Sequence, residues 1–80
     1  MNNTLSILID AEKSIKNKDS KSLITFINSL VNEYNKGNLE VNKVTKEKFL
    51  TILPYLADSI RGNITDELKL ASLNTLFRDN

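Results

Sequence analysis

Apolar residues recur at helical spacing along four stretches of this chain, and each stretch is bracketed by residues that start and stop helices. The first runs from Thr4, read as its N-cap, to about Asn17. Leu5, Leu8, Ile9 and Ile15 form its stripe, Ile7 and Ala11 widen it, and Asp10, Lys13 and Lys16 lie opposite. After the polar break Asn17-Lys18-Asp19, either Asp19 or Ser20 is suited to cap a second helix, since a short side-chain oxygen accepts an orphan backbone N–H. Leu23, Ile24, Phe26, Ile27, Leu30, Val31 and Tyr34 then cover more than half of the circumference, which predicts a central helix.

Lys36-Gly37-Asn38 and Arg61-Gly62-Asn63 end the second and third helices, each pairing a basic residue with a glycine able to take the left-handed C-cap conformation. Between Gly37 and Thr45 the residues Leu39, Val41 and Val44 alternate with polar ones. A lone strand is not stable in water, so this reads as an extended loop pinned to the helices. The third helix is expected after Thr45, with Phe49, Ile52, Leu53, Leu56, Ala57 and Ile60 inward. Pro54 removes the bond to the Leu50 carbonyl and predicts a kink or break over Leu50 to Pro54. The fourth follows Thr65 as N-cap, with Asp66 and Glu67 in the first turn and Leu70, Leu73, Leu76 and Phe77 as its buried stripe, flanked by Leu68.

These elements predict an all-α fold, a small antiparallel four-helix bundle with its third helix kinked at Pro54. Residues 1–80 form one domain, with Leu8, Ile27, Leu30, Leu53, Leu56, Leu73 and Phe77 as its core. At 40% hydrophobic and 26% charged residues the chain is well outside the composition of disordered proteins and is expected to fold alone.

Charge and chemistry narrow the function by exclusion. Formal net charge is +1, and residues 1–40 carry five basic and five acidic groups against six and five in 41–80, so the basic excess of a nucleic-acid binder is missing. Lys43, Lys46 and Lys48, and Lys13, Lys16, Lys18 and Lys21, are clustered but interleaved with Glu47, Glu12 and Asp19. With no histidine and no cysteine, zinc centres of the usual type and imidazole-assisted nucleophilic catalysis are closed. Asp66-Glu67 and Asp10/Glu12 point in different directions on their helices and converge on no substrate. Both glycines are committed to helix ends, which leaves none for a phosphate loop. The expectation is a protein that is not an enzyme, uses no metal or cofactor, and acts by binding a protein partner.

The absence of cysteine favours a reducing compartment. Leu5 to Ile9 is too short for a signal segment and no run reaches the ~20 apolar residues of a membrane span, so the location is read as cytoplasmic. The excess of lysine, asparagine and isoleucine over arginine and alanine is what an AT-rich bacterial genome produces.

The second helix Leu23 to Tyr34 ends in Asn35-Lys36-Gly37. A long loop then enters Phe49-Leu50-Thr51-Ile52-Leu53-Pro54-Tyr55-Leu56-Ala57, and the turn Arg61-Gly62-Asn63-Ile64-Thr65 leads into a last amphipathic helix. From about Leu8 to Phe77 this order resembles the enterocin A type immunity proteins, small cytosolic four-helix bundles that protect lactic acid bacteria from their own pediocin-like bacteriocins. The resemblance implies association with a bacteriocin-engaged sugar-phosphotransferase permease at the inner face of the membrane. Position and expected exposure, at the end of the bundle formed by the third turn and the C-terminus, make Tyr55, Arg61, Asn63 and Arg78 candidate partner-binding residues. Two other readings suit the same residues: a phage or mobile-element inhibitor of a host protein, and a small DNA-binding regulator.

Overall fold

The computed structural model describes residues 3–79. Four helices follow one another, α1 (Asn3–Lys16), α2 (Leu23–Asn35), α3 (Lys43–Ser59) and α4 (Ile64–Arg78), with a 3-10 turn at Ser20–Ser22 leading into α2. The all-α expectation holds, and no strand occurs among the described residues. Leu39 and Val41 pack half-buried against the core as parts of an extended connection.

Helix ends follow the predicted chemistry more closely than helix starts do. Gly37 and Gly62 have φ of +76° and +88°, the left-handed conformation that a residue without a β-carbon takes at no steric cost. At the end of α2, Asn38 N–H donates to the Glu33 carbonyl at 2.8 Å and Gly37 N–H to that of Tyr34 at 2.9 Å, the paired bonds of a Schellman ending. The end of α1 uses the same pair, Asp19 N–H to Ser14 and Lys18 N–H to Ile15. There the left-handed residue is Lys18, at φ +59°.

The helix starts are displaced from the expected ones. Thr4 is not the N-cap of α1 but a fully buried residue of its first turn. The α3 cap is Asn42, whose Oδ1 accepts Thr45 N–H at 3.0 Å while Thr45 Oγ1 accepts Asn42 N–H at 3.0 Å, a reciprocal capping box. Asn63 rather than Thr65 caps α4, accepting Asp66 N–H at 3.1 Å. Arg61-Gly62-Asn63 therefore ends one helix and starts the next. Asp19 makes no backbone cap and instead accepts the Ser22 hydroxyl at 2.6 Å. α3 is helical throughout Lys43–Ser59, with Pro54 on its exposed side and no break at Leu50 to Pro54.

One apolar cluster fills the centre: Leu8 and Ala11 from α1, Leu23, Ile27 and Leu30 from α2, Phe49, Ile52 and Leu56 from α3 with Ile60 after it, and Leu70, Leu73 and Phe77 from α4. Phe49 and Phe77 stack with ring centroids 4.4 Å apart, tying the start of α3 to the end of α4. Leu53, expected in the core, is only half-buried, because Phe49, Ile52 and Leu56 set the inward face of α3. On α1 the buried row is Thr4, Leu8 and Ala11 at steps of four and three, so Leu5 and Ile9 fall to its margins. On α2, Ile24 and Tyr34 are exposed, so that helix is less enclosed than its composition predicts.

The connection between α2 and α3 is held by two buried hydroxyls. Glu40 N–H donates to Thr4 Oγ1 at 2.9 Å, and Glu40 C=O accepts from Thr45 Oγ1 at 3.0 Å. Thr4 and Thr45 are both completely buried, so their hydroxyls reach no water and depend on these bonds. Thr45→Val, which keeps the shape, should lower the unfolding free energy by about 2 kcal/mol in urea titration, because it removes both the bond to the Glu40 carbonyl and the capping bond from the Asn42 N–H.

Lys18→Gly should raise stability by about 0.5–1 kcal/mol. A left-handed residue with a β-carbon costs roughly 1–2 kcal/mol, offset in part by the larger unfolded-state entropy of glycine. A loss of stability in the glycine variant would show that Lys18 is held there by its side chain.

Candidate functional site

The helix ends that meet at the α1–α2 corner leave an open cleft of about 700 Å³ against the last turns of α3. Ile15 and Leu23 form its apolar floor, and Lys18, Asp19 and Ser20 form one wall. Tyr55, Asp58 and Ser59 form the other, since residues three and four apart share a face of α3. The Schellman ending of α1 creates the first wall by reversing the chain at Lys18.

Tyr55 is 52% exposed. Its ring offers apolar area and its hydroxyl a donor and acceptor at the mouth of the cleft. Asp58 is paired with Arg61, both side chains remaining well exposed, and Ser59 Oγ donates to the Leu56 carbonyl at 2.7 Å. The cleft thus carries carboxylates at Asp19 and Asp58, a cation at Lys18 and one aromatic ring, with Arg61 joined to it through Asp58. Such an arrangement can hold a peptide or protein surface by apolar contact with polar edges. Among the described residues no group of three or more Asp, Glu, His or Cys side chains is placed to hold a metal ion.

Of the four residues singled out from sequence, the structure brings two together. Tyr55 lines the cleft and Arg61 reaches it through Asp58. Asn63 is close in sequence, but its side-chain oxygen is occupied in capping α4. Arg78 lies at the far end of α4, about 21 Å from its start at 1.5 Å per residue, so it and the turn before α4 are at opposite ends of that helix. There Arg78 Nε donates to Asn74 Oδ1 at 2.7 Å, and its carbonyl accepts from Lys46 Nζ at 3.4 Å.

Lys18, Asp19, Ser20 and Asp58 were not anticipated as lining residues. Asp58, three residues after Tyr55, carried a readable signal, whereas nothing marked Lys18 as left-handed. The lysines of the third helix are partly engaged: Lys48 pairs with Glu12 at 2.9 Å.

A second, smaller groove of about 440 Å³ runs between α2 and α4, bounded by Val31, Tyr34, Lys69 and Leu76. No protein-family model, curated protein or solved structure matches this chain. No described helix is long and apolar enough to cross a membrane.

Outside these surfaces, Glu33 is only 8% exposed, and its Oε2 is buried with no hydrogen-bond partner among the described residues. Glu33→Leu should therefore raise the unfolding free energy by about 1 kcal/mol, because an unpaired buried carboxylate oxygen costs more than a well-packed apolar side chain. A loss of similar size in thermal or urea unfolding would mean that the carboxylate has a partner in solution.

Proposed function

We propose that this chain is a non-catalytic binding protein that docks a protein partner at the cleft between the α1–α2 corner and the end of α3. The observation that carries this reading is the half-exposed Tyr55, which shares a cleft with Lys18, Asp19 and Asp58 over an apolar floor. Aromatic anchors with polar rims are the usual energetic centres of protein interfaces.

Within that class, an immunity protein of the enterocin A type fits the order of helices and turns from Leu8 to Phe77. In this reading the helices form an antiparallel bundle with α3 bent at Pro54. The protein works in the cytoplasm, with no cofactor, against a permease complex at the inner face of the membrane. Tyr55, Arg61 and the residues around them do the binding, and Asn63 shapes the turn that presents Arg61.

Expression in a sensitive, unrelated strain should confer resistance to one pediocin-like bacteriocin. Tyr55→Ala should weaken that resistance without lowering the melting temperature, since the side chain is outside the core. Protection against no such bacteriocin contradicts the immunity assignment. In that case, salt-dependent retardation of DNA by the purified protein assigns it to the regulators, and co-purification with a host or defence protein assigns it to the inhibitors.

A further inference from the structure

Along α4, Ile64, Leu68, Ala71 and Thr75 repeat at alternating steps of four and three, the spacing of a coiled-coil seam. All four are exposed, opposite the buried row Asp66, Leu70, Leu73 and Phe77. Ile64 is 73% exposed and Leu68 64%, the highest values among the exposed large apolar side chains of the described residues. Grooves flank this crest on both sides, toward α3 at Leu53 and Ala57 and toward α2 at Val31 and Tyr34, so a second helix can reach it.

We propose that the α4 crest pairs with the α4 crest of a second copy of this chain, antiparallel about a two-fold axis. In an antiparallel seam the two positions of the repeat face one another. Leu68 then lies opposite Ala71 of the other copy and Ile64 opposite its Thr75, each layer occurring twice by symmetry. Large meets small in every layer. The Thr75 hydroxyl donates to the Ala71 carbonyl of its own helix at 3.1 Å, so it brings no unsatisfied donor into the seam.

Charge fits the same register. Glu67, Asn74 and Arg78 lie along one edge of the crest, and the Glu67 carboxylate has no partner among the described residues. The Arg78 bond to Asn74 Oδ1 folds its guanidinium back by one helical turn, level with Asn74. With Leu68 facing Ala71, that level stands across from Glu67 of the second copy, which gives two equivalent ion pairs and opposed helix dipoles. An interface built on one helix from each side is at the low end of specific interface sizes, so the dimer is weak.

Sedimentation velocity of the full chain should show monomer giving way to dimer as loading rises from on the order of 10 µM to 1 mM. Leu68→Glu should remain monomeric throughout with unchanged circular dichroism and melting temperature. Arg78→Glu should weaken association roughly tenfold, since both ion pairs become repulsive, and combining it with Glu67→Arg should restore it. A wild-type chain still monomeric at the highest loading overturns the proposal. So does a dimer that survives Leu68→Glu, or a charge exchange that fails to restore association.

Discussion

The structure depends on how the backbone of Glu40 is satisfied. A connection that carries Leu39 and Val41 inward must also bring peptide groups off the water, and each such group needs a partner. Thr4, at the start of α1, takes the N–H, and Thr45, in the first turn of α3, supplies the donor for the C=O. The two bonds join segments 36 and five residues away from Glu40. They fix where α1 begins relative to α3, and the Asn42–Thr45 capping box sets the direction in which α3 leaves the connection. The Phe49–Phe77 stack closes the same region from the side of α4.

That constraint also explains which features were legible in the residues alone. Four helices and their stops could be read because apolar spacing and the glycines Gly37 and Gly62 each have one physical interpretation. Starts were harder, since Thr4, Asn42, Thr45, Asn63 and Thr65 all carry oxygens able to cap, and the choice among them is made by tertiary contacts. In the sequence Thr4 reads as a cap and Thr45 as the residue before α3. A hydroxyl that clamps a distant peptide looks the same in sequence as one that caps its own helix. The burial of Thr4 in turn rotates α1 by one position, which moves Leu5 and Ile9 to the margin.

The candidate site was half legible for a similar reason. Tyr55 was recognisable as an aromatic on a helix whose apolar face lay elsewhere, and Arg61 as a cation at an exposed turn. Arg78 was grouped with them only by ignoring helix length, because α4 carries it to the far end of the fold. Lys18 was hidden because a left-handed lysine has no sequence signature, yet the reversal it makes builds one wall of the cleft. The cleft and the α4 crest occupy different surfaces, and neither uses the residues of the Glu40 clamp.

Hydrogen exchange at the Glu40 amide tests the central claim most directly, because that single N–H reports whether the connection is clamped to the helices. The account predicts exchange within about tenfold of the slowest core amides of α2 and α3, so that the amide is released only when the whole domain opens. Exchange at the rate of an exposed loop amide, with the helices still protected, would contradict it.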